Sequence, residues 1–281
     1  MNSNAPVVLI SGCSTGIGRA LAVEFAARNW RVFATARKQT TVNDLKSMNM
    51  ETAALDVTDE KSITACVNYV ILKTGRIDML VNNAGLLLIG PLVELENSEL
   101  RRQFETNVIG LAALTRAVVP HMIGRRAGKI VNISSVSGVL PTPFAGAYCS
   151  TKAAVTAFSE SLRVELKPFG IQVVTVQPGG IKSNLSGNAD KELERFRKTP
   201  YGPIQEFIVA RANASQENAT PAEEFAKKLV DELVKERTPR FIRLGKDSTL
   251  LPLIARCPRA FIDALLSKKF GLDRLRADRD K

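Results

Sequence analysis

Histidine and cysteine are scarce in this chain, and their distribution excludes several kinds of site. His121 is the only histidine among 281 residues, so a histidine-based catalytic triad and a histidine-rich metal site are excluded. The four cysteines, Cys13, Cys66, Cys149 and Cys257, lie far apart and form no C-x-x-C pair. We interpret them as free thiols of a reducing compartment, and we expect no metal site.

We also expect neither a leader peptide nor a membrane-spanning segment. The first six residues have neither the basic start nor the apolar core of a signal peptide, and no apolar stretch approaches the roughly 18 residues of a membrane span. We therefore expect a cytoplasmic protein. Aromatic residues make up only 6% of the chain and no nucleic-acid-binding motif is present, so the net charge of +11 does not indicate a nucleic-acid partner.

Strand-like and helix-like patterns alternate along the chain, which indicates one α/β domain over residues 1–281. Such alternation is typical of a doubly wound, Rossmann-type parallel sheet with helices on both faces, and a ligand then lies at the carboxyl ends of the strands. Strands are predicted at 7–10, 31–36, 52–55, 79–82, 129–134, 172–177 and 240–244, and helices at 17–28, 59–74, 98–122, 148–167 and 221–236.

A glycine-rich turn follows the first predicted strand. Gly12, Gly16 and Gly18 give the spacing G-x-x-x-G-x-G, and a helical pattern begins directly afterwards. Glycines allow a phosphate to approach the backbone, and the amides at a helix N-terminus attract the anion. The sequence therefore favours nucleotide binding here, although a glycine-rich segment is also compatible with a simple tight turn.

A tyrosine and a lysine at helical spacing form the candidate catalytic pair. Tyr148 and Lys152 share a helix face, so we expect the ammonium to lower the pKa of the phenol toward working pH. Such a phenol can give a proton to a carbonyl oxygen as hydride arrives. Ser135, at the end of the fifth predicted strand, would hold the same oxygen. Taken alone, the spacing also fits an ordinary exposed Tyr and Lys.

The residues after the second strand indicate which nicotinamide cofactor is used. An acidic residue at this position would bond the ribose hydroxyls of NADH, but the chain has Arg37 and Lys38. Arg37 can bind a 2′-phosphate through two charge-assisted hydrogen bonds. We therefore predict NADPH/NADP+ as the cofactor, the alternative being a solvated basic turn.

Together with three further motifs, these features resemble the short-chain dehydrogenase/reductase family over roughly residues 5–245. The further motifs are Asn82-Asn-Ala-Gly85 after the fourth strand, Asn107 within a long helix, and Pro178-Gly179 followed by Ile181 and Ser183. Ser11 and Ser183 stand where the family more often has threonine.

The resemblance implies roles for individual residues. Asn107, Ser135, Tyr148 and Lys152 would be the catalytic set, with Asn107 holding a water that links Lys152 to solvent. A homodimer or homotetramer would form through the long helices 98–122 and 148–167. The cofactor would contact Ser11, Gly12, Ser14, Gly16, Ile17, Gly18, Arg37, Asp56, Val57, Asn83, Ala84, Gly85, Tyr148, Lys152, Pro178, Gly179, Ile181 and Ser183.

Two segments bear on the substrate. The family places its variable substrate lid at 183–220, where six apolar residues either line a pocket or anchor the lid to the body: Leu193, Phe196, Tyr201, Ile204, Phe207 and Ile208. Residues 246–281 form a basic amphipathic extension, and residues 235–281 contain 13 Lys or Arg against 6 Asp or Glu. This extension fits peripheral contact with a membrane or lipid droplet, closure over the substrate mouth, or packing on a second subunit.

We therefore expect an NADPH-dependent carbonyl reductase acting on a small-molecule, apolar, lipid-like ketone. The C-terminal sequence is similar to the 1-acyldihydroxyacetone-phosphate reductase branch of the family, and less closely the glycine-rich turn is similar to 17β-hydroxysteroid dehydrogenases. A steroid or retinoid alcohol dehydrogenase is one alternative. A catalytically silent, cofactor-binding regulatory protein is the other.

Overall fold

The centre of the protein is a parallel β-sheet. The computed structural model describes residues 5–183, 192–214 and 216–275. Within them the strands are β1 (Val7–Ile10), β2 (Arg31–Ala36), β3 (Glu51–Ala54), β4 (Met79–Asn82), β5 (Gly128–Ile133), β6 (Ile171–Pro178) and β7 (Phe241–Leu244). These seven strands are parallel and pair in the order β3-β2-β1-β4-β5-β6-β7. This confirms the predicted doubly wound α/β fold.

Helices cover both faces of the sheet because each strand is buried on both sides. In β1, Val8 and Ile10 pack with the helices Gly16–Ala27 and Ala222–Leu233, whereas Val7 and Leu9 point to the other face and pack with the helices Glu60–Thr74 and Gly110–Ile123. The helices are α1 (Gly16–Ala27), α2 (Glu60–Thr74), α3 (Asn97–Phe104), α4 (Gly110–Ile123), α5 (Gly146–Leu166), α6 (Gln205–Asn213), α7 (Ala222–Leu233), α8 (Leu250–Ile254) and α9 (Arg259–Lys269).

The strand order reverses between β1 and β4, and this places the site. The chain runs outward from β1 to β2 and β3, then returns to the other side of β1 as β4 and continues to β7. The connections that leave β1 and β4 therefore diverge to opposite faces and open a crevice between them. All the predicted motif loops lie at this carboxyl edge.

One long helix runs continuously over Asn97–Ile123, with a π-helical turn at Glu105–Ile109 joining α3 to α4. By length and composition this helix could cross a membrane, which corrects the expectation that no segment of that kind exists. Its most apolar stretch is 44% buried in protein, and α4 packs on α2, β4 and β5. Such burial and packing are typical of a core helix in a folded domain.

Element ends differ from the sequence predictions by a few residues. β3 lies one residue earlier than predicted, and α5 begins at Gly146, not at residue 148. Helix α7 ends at Leu233, not at residue 236, because the buried ammonium of Lys129 binds the residues at the end of the helix. Its Nζ donates to Leu233 O at 2.5 Å, to Lys235 O at 3.0 Å and to Thr238 Oγ1 at 2.5 Å.

A third apolar cluster joins the lid and the C-terminal extension to the body. The ring of Phe270, which follows α9, lies 6.1 Å from the ring of Phe144 in an edge-to-face arrangement. The lid residues Leu193, Phe196, Ile204 and Ile208 are buried in the same cluster. Four of the six apolar lid residues therefore anchor the lid, which was one of the two alternatives.

Replacing Lys129 by alanine is expected to lower the free energy of unfolding by about 1–3 kcal/mol, because three acceptors at the end of α7 lose their buried donor. Urea unfolding followed by circular dichroism measures this. Lys227→Ala, at an exposed position on the same helix, is the control and should change stability little. Equal losses of stability in the two variants would contradict the proposed role of Lys129 at the end of α7.

Candidate active site

The glycine-rich turn between β1 and α1 adopts a conformation that depends on glycine. Gly12 and Gly16 have φ angles of +76° and +59°, which disfavour other residues. A side chain at Gly18 would overlap Gly12 O and Asn83 Nδ2. Helix α1 starts at Gly16 with its first amides facing the crevice edge, and Ser14 and Ile17 are half-buried in the same turn. We therefore predict that a phosphate group binds at this turn.

Ser11 and Asn83 hold the β1 and β4 loops together. The buried Ser11 hydroxyl accepts from Asn83 N and Ala84 N, both at 3.0 Å. In the opposite direction, Asn83 Nδ2 donates to Ser11 O at 2.9 Å and Gly12 O at 3.0 Å. Serine at position 11 thus braces the turn, as the more common threonine would. These bonds fix the two sides of the crevice relative to each other.

Asn107 connects the β4 loop to α5 from within the π-helical turn. Its Oδ1 accepts from Leu86 N at 2.9 Å, and its Nδ2 donates to Leu86 O at 3.0 Å and to Thr151 Oγ1 at 3.1 Å. The same side chain limits position 85 to a small residue, since a Cβ at Gly85 would lie 3.2 Å from Asn107 Oδ1. The role of Asn107 in holding a water near Lys152 remains a prediction.

Tyr148, Ser135 and Lys152 meet where β5 ends and α5 begins. The Ser135 hydroxyl is hydrogen-bonded to the phenol, and Lys152 Nζ lies 5.6 Å from the centroid of the Tyr148 ring. Lys152 is buried, and its Nζ donates to Ile133 O at 2.8 Å. Gly138 allows the turn after β5 to pack closely on α5, because a Cβ at position 138 would lie 2.7 Å from the carbonyl carbon of Lys152.

Burial dominates the electrostatics of this trio. It raises the pKa of Tyr148 to about 12, although the hydrogen bond with Ser135 and the charge of Arg211 act to lower it. Burial also lowers the pKa of Lys152 to about 8. The expected lowering of the phenol pKa is therefore wrong, since the effect of burial outweighs the lowering effects of Ser135 and Arg211. A phenol with a raised pKa carries its proton at neutral pH.

The ends of β2 and β3 place Arg37 beside Asp56. Burial acts to raise the pKa of the Asp56 carboxyl, but hydrogen bonds from the backbone and hydroxyl of Thr58, together with the charge of Arg37, bring it below its usual value. Arg37 is exposed, and among the described residues it forms no ion pair. The buried Val57 packs against the first residue of α4, Gly110. The guanidinium is therefore available to an anionic ligand.

The segment after β6 closes the crevice from the other side. Gly179 N donates to Leu244 O at 2.9 Å, and Ile181 pairs with Thr220 at the end of the lid. A Cβ at Gly16 would lie 3.0 Å from that of Ser183, so this segment lies across the glycine-rich turn. The polar start of the lid, residues 184–191, lies outside the described residues.

The predicted residues at the ends of β1, β4, β5 and β6 thus lie together at one edge of the sheet. Arg37 follows β2 at the same edge, and Asp56 and Val57 follow β3. Sequence reasoning missed one buried residue of the lid, Arg211, whose charge acts on Tyr148. A single basic residue between apolar neighbours in Phe207–Ala212 was the available signal.

Comparisons with known proteins agree on the family. The profile described as short chain dehydrogenase matches residues 6–194. The short-chain dehydrogenase cctT of Talaromyces islandicus is 36% identical, covering 95% of this chain and 96% of the relative. An NADPH-dependent 1-acyldihydroxyacetone phosphate reductase of Schizosaccharomyces pombe is 34% identical (85% and 79% covered), and retinol dehydrogenase 8 of Bos taurus is 34% identical (90% and 85% covered).

Solved structures show the same architecture. A short-chain dehydrogenase from Streptomyces avermitilis superposes with a TM-score of 0.76 at 33% identity, covering 96% of this chain and 98% of that one. A closed form of serine dehydrogenase complexed with NADP+ gives a TM-score of 0.74 at 27% identity, covering 86% and 96%.

Proposed function

Because this chain belongs to the short-chain dehydrogenase/reductase family and is an oxidoreductase, we propose that it reduces a hydrophobic, lipid-like ketone with NADPH. An acyldihydroxyacetone-phosphate type of ketone is the first candidate substrate, in line with the relative from Schizosaccharomyces pombe. The observation that carries the proposal is the position of the Tyr148 phenol near Ser135 and the buried Lys152, whose Nζ lies 5.6 Å from the centroid of the phenol ring.

The residues fit a dinucleotide with a 2′-phosphate. The glycine-rich turn leaves no room for a side chain at Gly18 but accepts an anionic group at the start of α1, and Arg37 is free to bind the 2′-phosphate. Relatives and structural neighbours that use or contain NADPH or NADP+ support the same cofactor. When bound, this cofactor supplies the hydride.

The protein's own groups then handle the oxygen of the substrate. The Ser135 hydroxyl orients the carbonyl oxygen, and the Tyr148 phenol donates its proton to that oxygen as the carbon is reduced. The developing phenolate is stabilised by the nearby Lys152 ammonium. Asn107 holds the helix that carries both residues through its bond to Thr151.

An alcohol dehydrogenase acting on a retinoid or steroid is the second candidate, favoured by the similarity to retinol dehydrogenase 8. It would run the same chemistry in reverse, with Tyr148 accepting a proton. A silent regulatory protein is disfavoured by the presence of all four catalytic candidates.

Assembly and location are further proposals. Phe104, Ile109 and Val164 are exposed apolar residues on the two long helices through which we expect a homodimer or homotetramer to form. In the C-terminal extension, Leu253 and Phe261 are apolar and are 62% and 57% exposed. We propose a cytoplasmic enzyme whose extension contacts an anionic lipid surface while its inner face packs on the lid.

Tyr148→Phe tests the catalytic assignment. Only the phenolic hydroxyl, and with it the proton donor, is lost. We therefore expect kcat for acyldihydroxyacetone phosphate to fall by about 10²–10⁴-fold, with NADPH binding nearly unchanged by fluorescence titration. The substrate panel includes steroids, retinoids, long-chain aldehydes and simple ketones, with Tyr69→Phe at a remote surface position as the control. A variant that keeps more than about a tenth of wild-type kcat would show that the assigned acid is wrong.

Arg37→Asp tests the choice of cofactor. The wild type should prefer NADPH over NADH in kcat/KM, and the variant should reverse or erase this preference. Loss of a charge-assisted pair and gain of a repulsive charge should cost about 2–4 kcal/mol for the phosphorylated form. Lys46→Asp, which also replaces a cation by an anion but at another exposed position, is the control. Equal kcat/KM for both cofactors in the wild type would refute the prediction.

Lipid contact is tested by co-sedimentation with anionic vesicles of phosphatidylserine and phosphatidylcholine. Leu253→Ser with Phe261→Ser should weaken the salt-sensitive binding of the full chain, because each change removes an apolar contact from the outer face. Leu72→Ser, at an exposed apolar position on α2, should not. Wild-type protein that stays in the supernatant at low salt would rule the contact out.

A further inference from the structure

Arg211 is a buried cation that the catalytic scheme does not use. It lies on α6 within the lid and is 9% exposed, and its Nε donates to Thr142 Oγ1 at 3.0 Å in the connection between β5 and α5. Among the described residues this is its one hydrogen bond, and no carboxylate pairs with it. A guanidinium has five N–H donors, so most of its hydrogen-bonding capacity is unused.

A buried charge without a counter-charge is costly, and the cost is usually relieved by a partner of opposite sign. Burial lowers the pKa of Arg211, which is the direction expected of a cation without an anionic neighbour. Its terminal nitrogens make no hydrogen bond within the described residues, and they are not fully enclosed by protein. The unpaired end of the side chain therefore keeps some exposed surface.

Arg211 lies against the segment that leads to the catalytic phenol, because its hydrogen-bond partner Thr142 stands shortly before Tyr148 in the chain. The positive charge of Arg211 acts on Tyr148 and lowers its pKa against the effect of burial. Apolar residues surround this region: Ile208 and Ala212 on α6 are fully buried, and the rings of Phe144 and Tyr201 meet edge to face at 6.2 Å. A ligand that reaches both Tyr148 and Arg211 thus meets a proton donor, a cation and an apolar wall.

We propose that Arg211 binds an anionic group of the substrate, a phosphate or carboxylate, so that the enzyme selects ketones carrying both an apolar chain and a negative charge. The planar guanidinium can hold such a group through two parallel hydrogen bonds. This inference rests on the proposed reductase function and narrows its substrate class. The lid then selects the substrate by its negative charge as well as by its apolar chain.

The test compares a charged ketone with its neutral counterpart. The pair is 1-acyldihydroxyacetone phosphate and 1-acyldihydroxyacetone of equal chain length, and a long-chain keto acid with its methyl ester separates carboxylate from phosphate. Wild-type kcat/KM should be higher for the charged member. Arg211→Gln should lower kcat/KM for that member by roughly 10- to 100-fold and leave the neutral member within about threefold. Arg211→Lys should restore part of the loss.

A matched control lies in the same lid. Arg195 is an exposed arginine that pairs with Glu99 at 2.7 Å, so Arg195→Gln changes lid charge equally without touching the proposed site. It should preserve the preference for the charged ketone. A merely structural Arg211 would instead give a variant with a lower unfolding temperature and equal losses for both ketones, and this result would overturn the proposal.

Failure of the inference and failure of the proposed function give different results. If both ketones are reduced equally well by wild type, the function stands and the inference is wrong. If neither is reduced, the function is wrong, and binding then tests Arg211. Calorimetry on the NADPH-loaded protein should show 1-acylglycerol 3-phosphate binding to wild type at least about tenfold tighter than to Arg211→Gln. Equal affinities would refute the inference.

Discussion

The arrangement of the site depends on keeping the ammonium of Lys152 buried beside Tyr148. A lysine in this position requires a close approach between α5 and the end of β5, and Gly138 permits it. Ile133 O accepts from Nζ at 2.8 Å, and the Ser134 hydroxyl donates to the backbone carbonyl of Lys152 at 2.8 Å. Burial is also the main cause of both pKa shifts, since it raises the pKa of the phenol and lowers that of the ammonium.

A polar network beneath the site supports this geometry from within the core. Asn82 Nδ2 donates to Asn132 Oδ1 at 2.8 Å and to Thr115 Oγ1 at 2.9 Å, and Asn132 Nδ2 donates to Ser159 Oγ at 2.9 Å. The network joins β4 and β5 to α4 and α5. Since unpaired amides in a core are costly, these bonds favour one register of helices against the sheet.

Much of this arrangement could be predicted from the sequence because it depends on local patterns. Buried strands, helical periodicity and glycines at fixed spacing each act over a few residues, and the predicted sheet is confirmed. The pKa of Tyr148 could not be predicted, because it depends on how deeply the helix is buried. Arg211 was missed for a related reason: only the fold brings α6 near Thr142 and Tyr148.

The C-terminal extension packs directly on the lid. A Cβ at Gly271 would lie 2.5 Å from Phe207, and the guanidinium carbon of Arg274 lies 4.6 Å from the centre of the same ring. Phe207 is on α6, the helix that also carries Arg211. A displacement of the extension therefore cannot occur without changing the packing of α6. Contact between the outer face of α9 and a lipid surface would consequently act on the element that we propose to select the charge of the substrate.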